Sequence, residues 1–253
     1  MKTKILSLIT TICLALSLYA CDPPQKHYVT SMINQYVGPG ELNLIDAGDN
    51  VILVRFDDIK YVANFASGRE SHSVIFNELC RKHNDTSYDR VIVINPAYGY
   101  PYICLNLDFV SVSVTSDVDF DDEHPTGTEL GDIILFHSVS VRPYIESGYT
   151  KEYDWNVGDY FALLKSYFSY RNSLEPSVGT GKNPIHPVER LVSGLTPEDM
   201  TLLGRISGHG GGNYPLALLE FVQKPTLGTK HKITVTLIDD EGEVYSATID
   251  MTL

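Results

Sequence analysis

The sequence predicts a mainly β chain, an antiparallel β-sandwich carrying two or three short helices. Three observations predict it. The last fifty residues hold two runs in which apolar and polar side chains alternate, joined by an acidic turn with a glycine. Short β-branched runs recur at 50–56 (NVILVRF), 90–95 (RVIVIN) and within 131–142 (IILFHSVSV). Stretches with apolar residues at helical spacing are few.

The first element is not part of the fold. Lys2 and Lys4 precede an apolar run, Ile5 to Leu18, interrupted only by Ser and Thr. As a helix it would reach roughly 21 Å at about 1.5 Å per residue, short of a bilayer core of about 30 Å. A basic start, a short greasy middle and a small residue at the end read as an export signal over residues 1–20. Residues 21–40, with Pro23, Pro24 and Pro39, are expected to act as a tether.

Residues 50–56 and 90–95 are short enough for strands. Between them Ile75, Phe76, Leu79 and Cys80 fall at helical spacing after two serines, predicting a helix over 70–83. Residues 102–115 read as strand, but the apolar phase switches from Ile103, Leu105, Leu107 and Phe109 to Val110, Val112 and Val114. Alternate residues face opposite sides of a sheet, so the switch implies a bulge or a strand that changes sheet. Val157, Phe161, Leu164 and Phe168, with Asp159 as a cap, predict an amphipathic helix over 159–172. Residues 172–187, rich in Gly, Pro and small polar types, form the best linker. Thr196-Pro197-Glu198-Asp199 marks a short helix start. Residues 214–222 and the terminal hairpin, Ile233, Val235 and Leu237 against Tyr245, Ala247, Ile249 and Met251, supply three strands of a sandwich. The organisation expected is thus a β-rich part with two helices at 41–172 and a β-sandwich part at 188–253, as one domain or two. An immunoglobulin- or fibronectin-like arrangement fits this pattern.

The formal net charge is −13. Without residues 1–20 there remain 17 basic and 32 acidic side chains, a net −15. Nucleic acid demands a basic surface and is excluded as a partner. An acidic body is also repelled from an anionic leaflet. Of four cysteines, Cys13 leaves with the signal and Cys21 stands at its end. Cys80 and Cys104 remain as a tentative disulfide, the alternative being two buried thiols.

Candidate sites are sparse. Asp117, Asp119 and Asp121 alternate within an acidic run and could present oxygens to calcium. The EF-hand pattern fails, since Asp122 stands where its glycine belongs and Thr128 where its closing glutamate belongs. The alternative is a solvated loop whose acids discourage edge pairing. Tyr98, Tyr100 and Tyr102 repeat at every second position and could stack on a sugar or a partner protein; core packing is the commoner use of tyrosine. His209-Gly210-Gly211-Gly212 is similar to a lipase oxyanion motif, but no Gly-x-Ser-x-Gly elbow accompanies it. Gly179-Thr180-Gly181-Lys182 lacks the first glycine of a phosphate loop. No catalytic residues are assigned and no cofactor beyond calcium is suggested.

Leu18-Tyr19-Ala20-Cys21 resembles the lipobox of bacterial lipoproteins. The resemblance implies acylation of the Cys21 thiol, cleavage just before it, and attachment of the mature chain to a membrane through acyl chains. The runs ICLNLDFVSVSV and DFDDEHPTGTELGDI, with the later SGY, are similar to lipoproteins of gut-type Gram-negative bacteria that carry a domain of unknown function. The expectation is a lipid-anchored protein of the cell envelope, with the outer membrane favoured, serving as a binding or scaffolding module for a protein or glycan ligand. A glycan-binding lipoprotein of a polysaccharide-uptake system is the first rival, and an envelope hydrolase the second.

Overall fold

The computed structural model describes residues 25–66, 70–94, 102–154, 181–203 and 214–253. The predicted helix at 159–172, the HGGG motif, Tyr98, Tyr100 and Cys21 lie outside them. Within them the chain is mainly β, with several antiparallel sheets and two helices. In order these are β1 (Gln25–Val29), β2 (Gln35–Gly38), β3 (Glu41–Gly48), β4 (Val51–Asp57), β5 (Lys60–Asn64), α1 (Glu70–Lys82) and β6 (Arg90–Ile94). Then follow β7 (Ile103–Leu105), β8 (Phe109–Ser116), β9 (Ile134–Ser140), α2 (Arg142–Glu146), β10 (Tyr153–Asp154), β11 (Lys182–Asn183) and β12 (His186–Leu191). The 3-10 turns Val192–Gly194 and Pro197–Met200 precede β13 (Tyr214–Phe221), β14 (Lys230–Asp239) and β15 (Val244–Thr252).

The largest sheet has the order β12-β9-β13-β4-β3, antiparallel throughout. Its inner strands, β4, β9 and β13, are largely apolar on both sides because both sides are covered. Ile52, Val54 and Phe56 of β4 enter one core cluster with Phe136, Leu219, Val235 and Leu237. Val51, at the start of the strand and on its opposite face, enters a second cluster with Val139, Leu218, Tyr36, Phe76 and Cys104. That explains why NVILVRF is a continuous apolar run while the terminal hairpin alternates. β14 and β15 pair Ile233 with Ile249, Val235 with Ala247 and Leu237 with Tyr245, and one face of the hairpin stays polar. Gly242, at φ 86°, makes the turn. The third strand beside this hairpin is β8, while β13 lies inside the five-stranded sheet.

The phase switch in 102–115 is a change of sheet. β7 runs parallel to β2, in the sheet β5-β2-β7, and β8 then pairs with β14. In that smaller sheet Tyr36 lies opposite Ala63 and Cys104. All three are buried, in one cluster with Phe76 and Cys80 of α1.

Two sequence expectations need correction. Residues 25–40 are not a tether: β1 and β2 are ordered strands, and Met32, Ile33, Tyr36 and Val37 are core residues. A methyl group on Gly40 would meet the Asp57 carbonyl oxygen at 1.9 Å, so even the backbone at Gly40 is closely packed. The end of the proposed linker is likewise structural, since Ile185 and His186 are buried and His186 opens β12. The described parts of 41–172 and 188–253 also share sheets, because β9 sits between β12 and β13 and β8 pairs with β14.

Candidate functional site

The acidic run lies in the loop between β8 and β9. Each of its three candidate ligands is committed to a nearby donor. Asp117 Oδ1 accepts the Lys232 N–H at 2.8 Å. Asp119 Oδ1 accepts both the N–H and the hydroxyl of Thr126, at 2.7 and 2.8 Å. Asp121 Oδ1 accepts the N–H groups of Glu123 and His124, at 2.9 and 2.8 Å. These aspartates do not converge on a common point, and among the described residues no group of three or more His, Cys, Asp or Glu is placed to hold a metal ion.

What the loop does is cover a sheet edge. Leu130 donates to the Val114 carbonyl at 2.8 Å and Gly127 to the Ser116 carbonyl at 2.9 Å. Glu129 accepts the Val114 N–H and the Ser113 hydroxyl. The free side of β8 is thereby occupied by its own loop. Phe120 pins the loop: it is fully buried, stacked on Phe221 and tilted against His231. His124 completes the clasp, with Nδ1 2.7 Å from Asp121 and Nε2 3.0 Å from Asp132. Burial pulls the His124 pKa down, but the bonds to Asp121 and then Asp132 outweigh it and hold the pKa above the ordinary histidine value. With a carboxylate at each nitrogen, this ring is not poised as a general base.

The second core holds a buried carboxylate for which the sequence gives no sign. Asp85 is 0% exposed. It accepts the N–H groups of Met32 and Ile33 at 2.7 and 2.8 Å and the Tyr149 hydroxyl at 3.0 Å. Its own N–H caps α1 through the Cys80 carbonyl, at 2.8 Å. Burial raises its pKa despite these three bonds. Beside it, Cys80 and Cys104 are free and buried, the second of the two alternatives the sequence leaves open. Burial pushes the Cys80 thiol up to about 12 and the Cys104 thiol upward as well. Such thiols are poor nucleophiles at neutral pH.

Tyr102 is not an open platform. Its carbonyl accepts the N–H groups of Asn34 and Gln35 at 2.9 and 3.3 Å. Its ring packs half-buried against the second core, and burial raises its pKa to about 12. A serine–histidine contact does occur, Ser116 Oγ to His231 Nδ1 at 2.9 Å. Both residues are buried beside Phe120, and Ser116 also accepts the Val118 N–H. A substrate carbonyl has no access to that hydroxyl as placed. His137 likewise braces the sheet, with Nε2 2.8 Å from Glu220 and Nδ1 3.7 Å from Glu189 on the flanking strand.

The remaining feature is a surface. β1 and β6 form a two-stranded antiparallel ribbon with Tyr28 opposite Val91 and Lys26 opposite Val93. His27, Val29 and Ile92 turn toward the body, His27 meeting Phe65 edge-on. The other face points outward, with Tyr28 64%, Val91 62% and Val93 55% exposed. RVIVI is apolar at four of its five positions, yet its two valines face outward. The pairing that reveals them spans more than sixty residues, beyond any local signal.

The chain matches no protein-family model, no curated protein and no solved structure in the comparisons made.

Proposed function

We propose that this is a lipid-anchored envelope protein, acylated at Cys21, whose β-sandwich body works as a binding or scaffolding module at a membrane surface. The outer membrane is the favoured location. In this reading the sheet β15-β14-β8 packs on one face of the five-stranded sheet, since Val235 and Leu237 share a cluster with Val54 and Phe136. One observation carries the proposal: Leu18-Tyr19-Ala20-Cys21 ends four residues before β1 begins at Gln25. The chain enters its fold where a lipobox would hand it over to a bilayer. Two or more acyl chains suffice for stable attachment, whereas one is marginal.

The test is Cys21→Ser in cells given an alkyne-tagged fatty acid. The native chain is expected to incorporate the tag and sediment with membranes. The variant is expected to lose both, and an unchanged membrane fraction with no tag in either would refute the proposal. The glycan-binding alternative has less support, because Tyr102 is enclosed and its carbonyl is used within the fold. A glycan-array signal abolished by Tyr100→Ala would restore it.

A further inference from the structure

We infer that the outer face of the β1–β6 ribbon, Lys26, Tyr28, Val91 and Val93, rests in the headgroup zone of the bilayer that holds Cys21. This extends the anchoring proposal and rests on it. From Cys21 to Gln25 are four residue steps, which span at most about 14 Å fully extended. An acyl-bearing Cys21 therefore keeps the start of β1 within about 14 Å of the acyl attachment, about two headgroup layers at most. Of all surfaces on the described chain, this ribbon is the one that chain length confines there.

The chemistry of the face agrees with its position. Three of the most exposed large apolar side chains in the described residues gather on it: Tyr28, Val91 and Val93. Register places them together, since Tyr28 faces Val91 and the neighbouring pair is Lys26 with Val93. A cluster of this kind needs an occupant, whereas apolar residues scattered singly do not. Tyrosine is enriched at membrane–water interfaces, and lysine can lay its stem on apolar surface while its ammonium reaches phosphate. The Tyr28 hydroxyl already donates to Asp89 at 2.9 Å, at the rim of the face. The face carries one cation, Lys26, and one acid at its rim, Asp89, whose carboxylate is engaged by Tyr28, while the mature chain is strongly acidic. Long-range repulsion would keep a free chain off an anionic leaflet, but a four-residue link makes contact a local event at high effective concentration. The acidic remainder of the body then points away from the membrane.

The experiment uses the acylated mature chain in vesicles of phosphatidylethanolamine with a minority of phosphatidylglycerol. Trp155, the single tryptophan, is replaced by Phe, and Val93→Trp or Val244→Trp is added; Val244 is similarly exposed on β15. Lipids brominated high on the acyl chain report depth by quenching. Emission from position 93 is expected to fall by about half or more, as for a side chain held 5–10 Å into the interface, while position 244 is unaffected. Adding Tyr28→Glu and Val91→Glu, both on exposed positions, is expected to abolish quenching at 93 while the protein still floats with the vesicles.

Flotation with equal, negligible quenching at both positions would overturn the inference and leave the anchor standing. Protection of the ribbon from hydrogen exchange that needs no vesicles and rises with protein concentration would also overturn it, assigning the face to a second copy. Failure of the acylated chain to float, by contrast, would remove the anchoring proposal itself.

Discussion

Replacing Asp85 with alanine tests whether one buried carboxylate joins the ribbon to the body. The substitution strands the N–H groups of Met32 and Ile33, both 0% exposed, and the Tyr149 hydroxyl. A buried polar group left without a partner costs about 1–3 kcal/mol, so three of them give a gross loss of roughly 3–6 kcal/mol once hydration of the cavity is allowed for. Against that stands the burial cost of the carboxyl itself, visible in its raised pKa and worth about 1–2 kcal/mol. The expected net loss is about 2–4 kcal/mol. Asp85→Asn keeps one acceptor but turns an NH2 toward an N–H donor, and about half that loss is expected. Urea unfolding of the chain from Asp22 onward measures both, with an unchanged slope and a midpoint lowered by about 1 M for alanine. Hydrogen exchange should show residues 32 and 33 losing protection together with β1 and β6. Titration supplies a sign. The folded pKa lies above the ordinary 3.8, so this group favours the fold at low pH, and that contribution is lost as pH rises through the folded value. A change within about 0.5 kcal/mol for Asp85→Ala, with the two amides still protected, would refute the assignment.

Three further outcomes are expected. Asp108 accepts the Leu202 N–H at 3.0 Å and meets Lys82 at 3.4 Å, while Lys82 bridges to Asp240 at 2.7 Å; Asp108→Ala should cost about 1–3 kcal/mol in urea unfolding and Lys82→Met at most about 1 kcal/mol. His124 titrates above its ordinary 6.5, so its clasp is fully stabilising below that pH and fades as pH rises through the folded value; NMR titration should find the raised pKa, and His124→Gln should flatten stability between about pH 6 and 8. Cys80 and Cys104 should both resist alkylation in the native chain and both react after unfolding without reductant; a mass lower by two hydrogens, with neither labelled, would mean that the bridge forms in the cell.

The sequence was most legible where a strand has one wet face. β15 and β14 alternate cleanly, and both their register and the Gly242 turn follow from that alternation. β4 and β6 were recognisable as strands but not as neighbours of anything, because a doubly apolar run carries no information about which sheet receives it. The helix over 70–83 was readable from spacing and ends one residue earlier, at Lys82. Residues 25–40 are not legible as core because Met32, Ile33, Tyr36 and Val37 lack a simple period and prolines flank them at 23, 24 and 39. Asp85 could not have been found locally, since its partners lie 52 to 64 residues away. The loop aspartates were different: Asp121 bonds residues two and three ahead, an Asx-type turn that the spacing alone allows.

The acidic excess acquires a structural reason from these contacts. A fold with many loops and little helix leaves backbone N–H groups that no ladder satisfies, and each needs an acceptor. Asp46, Asp108, Asp117, Asp119, Asp121, Asp199 and Asp239 all accept backbone N–H groups outside the sheet ladders. Carboxylates suit this role because they accept without donating. The charge is thus partly a by-product of fastening loops rather than a signature of a cationic ligand. Its consequence is directional. The Thr126 N–H holds the Asp119 pKa below 3.8, and hydrogen bonds do the same for Asp121 and Asp240 against an opposing burial effect. Depressed carboxylates stabilise above their unfolded pKa, and that contribution is lost as pH falls through the folded value. Asp85 runs the opposite way. On acidification below about pH 4, the loops held by Asp119, Asp121 and Asp240 should therefore loosen before the ribbon does. Hydrogen exchange across a pH series, with the intrinsic rates divided out, would refute this if residues 32 and 33 opened ahead of 123–126.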